Sequence, residues 1–193
     1  MSERQAQVAG GRIEVICGCM FAGKTARLIE ELLAARTAGH VVMAFKHELD
    51  ARYDNAQLAT HDHRRFAARA VPNAAELVRL SLGAQVVGLD EAHFFGRPLI
   101  AACQTMRDRG QRVILVGLDY DMWGQPLTPL PELKDIADRV DVLHTACAVC
   151  GQPARHSQRM VPIISDDVVG GPAEYEPRCR DCFEPLTTPA PKY

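Results

Sequence analysis

The sequence has no uninterrupted apolar run approaching the roughly 18 residues that a membrane helix needs, so a membrane-spanning protein is not expected. Its opening residues Ser2, Glu3, Arg4 and Gln5 lack the charged-then-apolar order of a secretory signal, and a cytoplasmic location is the corresponding expectation. Blocks of one charge are also missing. Lys and Arg, 22 in all, are dispersed among 24 Asp and Glu, for a formal net charge of −2. That balance provides no broad attraction to nucleic acid, and a polymeric nucleic-acid partner is disfavoured. The seven cysteines are an odd number, which does not suit a disulfide framework and directs attention to metal ligation. What remains is a chain of 193 residues, 47% hydrophobic, long enough for one sizeable core and a small appendage.

Apolar β-favouring runs alternate with helical patterns. Strands are expected at Ile13 to Cys17, Val41 to Phe45, Gln85 to Leu89 and Arg112 to Gly117, with helices at Ala26 to Ala38, Ala74 to Leu82 and Leu99 to Arg109. Short apolar strands joined by crossover helices imply an α/β fold with a mainly parallel sheet, ligands binding at the carboxyl ends of its strands. Asn73 suits an N-cap and Pro98 a first helical turn. Ala59 to Val71 is too polar for a buried crossover and reads as a hairpin or exposed arm, while Pro131 to Val140 reads as helical. From about residue 144 the texture changes to paired cysteines, glycines and prolines. The expected organisation is therefore a P-loop domain over 1–143, a small cysteine module over 144–183 and a disordered tail rich in Pro and Thr over 184–193.

Directly after the first strand, Gly18-Cys19-Met20-Phe21-Ala22-Gly23-Lys24-Thr25 fits GxxxxGK[ST] and leads into a helix. Glycines at both ends let backbone N–H groups curl inward around phosphates, and the helix N-terminus adds partial positive charge. Lys24 suits the β/γ oxygens of ATP or GTP, and Thr25 a hydroxyl on Mg²⁺. The strand at 85–89 ends in Asp90-Glu91. Asp90 suits the magnesium side of the site, leaving Glu91 to accept a proton from an attacking hydroxyl or to polarise water, which the local motif does not separate.

Cys147-x-x-Cys150 and Cys179-x-x-Cys182 are two thiolate pairs separated by 28 residues, a spacing compatible with a zinc ribbon carrying an inserted loop. Four cysteines close tetrahedral Zn²⁺ with no open position, so the metal's role would be structural. Cys17, Cys19 and Cys103 read as buried bystander thiols. The enclosed segment Val168 to Tyr175, apolar and glycine-bearing, serves equally as a cover over a flat ligand or as a surface turn.

In order and spacing, GCMFAGKT, LDEAHFF, GLDYDMWGQP, the two CxxC pairs and VVGGPAEY resemble the zinc-containing thymidine kinases over about residues 11 to 183. The resemblance implies a RecA-like P-loop core, a small zinc domain with a lasso-like loop closing over thymidine, ATP and Mg²⁺ as phosphoryl-transfer partners, and a homotetramer. It implies that Glu91 is the general base on the 5′-hydroxyl and that Asp50, Ala51 and Arg52 lie near the phosphates. Met20, Phe94 and Leu118 match the nucleoside pocket, and Asp166, Asp167, Val168, Val169, Gly170 and Tyr175 match the lasso. Three positions depart from the family pattern: His93 on the phosphate side where Gln is usual, Met122 in the pocket where Phe is usual, and Trp123 where Arg is common. Met122 exchanges a flat face for a flexible thioether, which bears on the choice of nucleoside. A kinase for another pyrimidine deoxynucleoside is the nearest alternative. A zinc-ribbon ATPase gripping nucleic acid is the other, but Arg155, Arg159, Arg178 and Arg180 are outnumbered by Asp166, Asp167, Glu174, Glu176 and Asp181 in the cysteine module.

Overall fold

The computed structural model describes residues 10–50, 57–60, 64–162 and 173–187. Alternating side chains in β1 (Arg12–Cys17) are buried on both faces: Ile13, Val15 and Cys17 on one, Glu14 and Ile16 on the other. A strand covered on both sides needs neighbours and two layers of helix. The chain supplies them as α1 (Lys24–Thr37), β2 (Val42–His47), β3 (Gln57–Ala59), β4 (Arg65–Ala67), β5 (Arg69–Val71), α2 (Ala74–Leu80), β6 (Val86–Leu89), α3 (Pro98–Asp108), β7 (Arg112–Gly117), α4 (Leu130–Asp135) and β8 (Arg139–Val142). Six strands form one wholly parallel sheet in the order β5-β2-β6-β7-β1-β8, the α/β core expected from the alternation of patterns.

Helix α1 covers one face, setting Leu28, Ile29, Leu32 and Ala35 against Ile16, Ala44, Val86, Ile114 and Val116. The other face carries α2, α3 and α4, with Leu77, Leu99, Cys103, Met106, Leu130 and Leu133 packed on Val15, Val87, Val113 and Leu115. Gly88 allows the close fit of α1, because a Cβ there would lie 2.7 Å from Leu32 Cδ1. Asn73 caps α2 as expected, its side chain accepting from Glu76 N at 2.9 Å, and Pro98 opens α3.

Two expectations change. The stretch Pro131 to Val140 is helical only through Asp135, and Arg139–Val142 forms the edge strand β8 beside β1, with Glu14 opposite Arg139. Its β-branched Val140 and Val142 favour the extended pairing over a longer helix. Within 59–71, β3 and β4 do make an antiparallel hairpin, but β5 leaves it to join the main sheet alongside β2. The small strands β9 (Thr145–Ala146), β10 (Pro153–Ala154), β11 (His156–Arg159) and β12 (Tyr175–Arg178) pair as two antiparallel ribbons. In the stretch expected to lack order, Glu184 N donates to Gln158 Oε1 at 2.8 Å and Leu186 N to Met122 O at 3.2 Å, so its first residues are tied down. Residues 188–193 lie outside the described residues.

Among the described residues, Glu14 is the one acid buried within a strand, and arginines accompany it. Arg112 donates to both its oxygens at 2.7 and 2.8 Å and reaches Glu31 at 2.7 Å. Burial alone raises the Glu14 carboxyl, but Arg112 and then Arg12 outweigh it and hold the pKa below the ordinary 4.5. A depressed carboxylate contributes stability above its unfolded-state pKa and loses that contribution as pH falls through the folded value. Urea unfolding at stepped pH is therefore expected to show a midpoint that drops below about pH 4.5, with a shallower drop in Glu14→Gln. The same slope in both proteins would remove Glu14 from the account.

Candidate functional site

All the phosphate-loop residues sit at the carboxyl end of β1, where the sheet places ligands. The loop turns through positive φ at Gly18 (146°), Phe21 (65°) and Gly23 (81°). Glycine adopts such angles without a steric penalty, whereas Phe21 is a side-chain-bearing residue held in a costly conformation. Lys24 is buried, and its ammonium donates to Cys19 O at 2.7 Å across the loop. The Thr25 hydroxyl donates to Asp90 Oδ2 at 3.0 Å, bringing together the two groups that sequence reasoning assigned to magnesium.

Asp90 follows β6, separated from β1 by β7, and its other oxygen accepts from Glu91 N at 3.0 Å. Glu91 has φ +49°, the second non-glycine residue with positive φ among the described residues. This left-handed turn ends the strand and starts the 3₁₀ turn Ala92–Phe95, separating the directions of two adjacent acids. His93 Nδ1 lies 3.4 Å from Glu91 Oε2, and its ring packs on Phe94 at 4.3 Å between centroids. Asp50 closes the turn after β2, its N donating to His47 O at 3.0 Å. Ala51 and Arg52 lie outside the described residues, as do Asp166, Asp167, Val168, Val169 and Gly170.

The remaining pocket residues come from separate elements. Met20 is in the phosphate loop, Phe94 in the 3₁₀ turn, and Leu118 directly after β7. Met122 is buried in the following loop, which Asp121 staples by accepting from Trp123 N at 2.9 Å and Gln125 N at 2.8 Å. Tyr175, at the start of β12, is buried with its hydroxyl accepting from Arg159 Nη1 at 2.8 Å.

Cys147, Cys150, Cys179 and Cys182 converge, their sulfurs all within 4.8 Å of one another. Burial opposes ionisation of Cys147, but N–H groups around Cys179, Cys150 and Val149 bring its thiol down to about 6. The thiols of Cys150 and Cys179 push Cys182 up to about 12. Four crowded sulfurs cannot all ionise without a cation between them, and tetrahedral Zn²⁺ fits both the donor set and the spacing. By contrast, burial pushes Cys17 up to about 11 and Cys103 to about 12, in keeping with bystander thiols.

Three residues at the site escaped sequence reasoning. Lys46, 1% exposed, donates to Asp50 O at 3.1 Å and lies 3.9 Å from its carboxylate. A lysine ending an apolar strand was a readable signal for it. Asp119 is buried against Lys134 of α4. Ser157 is buried in β11, and its hydroxyl accepts from Met20 N at 2.9 Å. The stretch His156-Ser157-Gln158 has no periodicity that could have pointed to it.

A family model described as "Thymidine kinase" matches residues 11–183. The chain is 43% identical to a protein named thymidine kinase from Rhodothermus sp. (strain ITI 518) over 189 residues, covering 94% of this chain and 89% of the relative. It is 41% identical to one of that name from Porphyromonas gingivalis over 179 residues, covering 93% and 88%. A third, from Roseiflexus sp. (strain RS-1), is 41% identical over 189 residues, covering 93% and 98%.

Proposed function

The chain belongs to the thymidine kinase family, and from that premise we propose that it transfers the γ-phosphate of ATP to the 5′-hydroxyl of thymidine. The observation that carries the reading is the division of labour in the acid pair. Asp90 is engaged by the phosphate-loop hydroxyl of Thr25 at 3.0 Å, while Glu91, set in a different backbone conformation by its positive φ and with His93 Nδ1 3.4 Å from its Oε2, takes the acceptor side in this reading. Phosphoryl transfer asks the protein mainly for positioning and for positive charge around the transferring group.

The inward amides of Gly18 to Thr25 hold the triphosphate, and Lys24 moves its ammonium onto the β/γ oxygens. Thr25 and Asp90 would hold Mg²⁺, which would supply charge neutralisation to those oxygens. Arg52, two residues beyond the Asp50 that Lys46 braces, adds positive charge. Met20, Phe94, Leu118 and Met122 contact the nucleoside, with Asp166 to Gly170 and Tyr175 covering it. As the 5′-oxygen attacks phosphorus in line, the O–H proton passes to Glu91, the P–O bond to ADP breaks, and thymidine monophosphate leaves with ADP. His93 orients the Glu91 carboxylate. Zn²⁺ on the four cysteines has no part in the chemistry and fixes both ends of the covering segment.

The test is mass spectrometry of the products formed from Mg-ATP with an equimolar mixture of thymidine, deoxyuridine, deoxycytidine and deoxyguanosine. Thymidine monophosphate is expected to dominate. Another monophosphate would keep the mechanism and change the substrate, with Met122 the first residue to examine. ADP without any nucleoside monophosphate would replace the kinase reading with an ATPase.

A further inference from the structure

The phosphate loop does not stand alone on the sheet. At two consecutive positions it is fastened to the cysteine module. The Cys19 thiol donates to Ala154 O at 3.6 Å, and Met20 N donates to Ser157 Oγ at 2.9 Å. Cys19 is buried in one cluster with Ala154, Cys147 and Cys179. Gly18 passes so close to the chain entering the module that a Cβ on it would lie 2.4 Å from Leu143 O. These fastenings directly precede Phe21, whose positive φ needs support from its surroundings.

The positions of Ala154 and Ser157 in turn depend on the cysteines. Ala154 pairs with Thr145 in the ribbon folded at the Cys147 knuckle, where Cys147 N donates to Gln152 O at 2.8 Å. Ser157 pairs with Pro177 on β12, which runs directly into Cys179, and Ala148 N donates to Pro177 O at 2.9 Å. Separating the two cysteine pairs would release both ribbons and, with them, the acceptors on Cys19 and Met20.

We propose that Ser157 and Ala154 are positioning residues for the phosphate loop, through which zinc binding at the four cysteines and nucleotide binding at Gly18 to Thr25 are thermodynamically coupled. The inference rests on the phosphate-loop reading above and goes beyond it, since the cysteine module there only anchors a nucleoside cover. Coupling of this kind is reciprocal: the factor by which zinc tightens nucleotide binding is the factor by which nucleotide tightens zinc.

The experiment uses the zinc-loaded full chain without nucleoside. Zinc retention is titrated against the chelator 4-(2-pyridylazo)resorcinol with and without saturating Mg-ADP, whose binding is measured separately by calorimetry. Mg-ADP is expected to raise zinc retention by roughly fivefold or more. Ser157→Ala should bring that factor close to unity, and Ser157→Thr, which keeps the hydroxyl, should restore it. Mg-ADP that binds yet leaves zinc retention of the unsubstituted chain unchanged would overturn the coupling alone. Failure of Mg-ADP to bind at all would overturn the phosphate-loop reading and the coupling with it. Should Ser157→Ala not fold, the unsubstituted chain and Ser157→Thr still decide the matter.

Discussion

Glu91→Gln is expected to lower turnover by about 10²- to 10⁴-fold, the usual worth of a positioned general base, while thymidine and ATP still bind nearly as well. Gln has the shape and the hydrogen-bonding reach of Glu, so the left-handed turn at φ +49° and the bond from its N to Asp90 at 3.0 Å need not change. What Gln cannot do is take the proton released as the 5′-oxygen attacks. The loss should therefore appear in kcat rather than in binding, the pattern of an interaction made only in the transition state. Steady-state kinetics alongside equilibrium binding of thymidine reads both quantities. Near-normal kcat would remove Glu91 from the base role and leave positioning by the phosphate loop as the main source of acceleration.

The second large effect is expected from Cys179→Ser. Zinc content should fall from about one ion per chain, the stoichiometry of a closed four-cysteine site, to a small fraction, and kinase activity should be lost with it. The physical reason is that the described residues of this part of the chain form only one small buried cluster. The module's buried cluster consists of Cys147, Ala154, Cys179 and the phosphate-loop Cys19, too little apolar area to hold two short ribbons. Structural zinc in small peptides contributes on the order of 10–16 kcal/mol of apparent binding free energy, which here would be folding free energy for the module. The parallel sheet has its own two-sided core and should survive. Thermal unfolding of the variant followed by near-ultraviolet circular dichroism is expected to retain the main transition and to lose signal before it. Full zinc content and activity in Cys179→Ser would show that three thiolates suffice and that the fourth is dispensable.

The elements read most easily from the sequence are those whose residues must satisfy local rules. GxxxxGKT between an apolar strand and a helix needs no distant information, because the loop's glycine angles and the helix start are settled within about eight residues. The same holds for Asn73 as a cap and Pro98 in a first turn. Where reading failed, the deciding partner was remote. Arg139–Val142 is extended because β1 offers an unpaired edge there, some 125 residues earlier in the chain, as the bond from Ile13 N to Asp138 Oδ2 illustrates. The Ala59 to Val71 stretch divides between a hairpin and an edge strand because β2 accepts β5 at Phe45, Lys46 and His47. No local pattern contains either fact.

By itself, then, the sequence determined the reaction class expected of this chain, the acids at a strand end, the cysteine spacing and the α/β alternation, because each depends on residue type and short spacing. Tertiary structure decided the rest: the strand order that puts β7 between Asp90 and the phosphate loop, the pairing of β8 with β1, and the attachment of Met20 to Ser157. These are contacts between segments far apart in the chain. They arise only when burial of two apolar layers against one sheet brings those segments together, and a one-dimensional pattern records the burial without recording which distant residues meet.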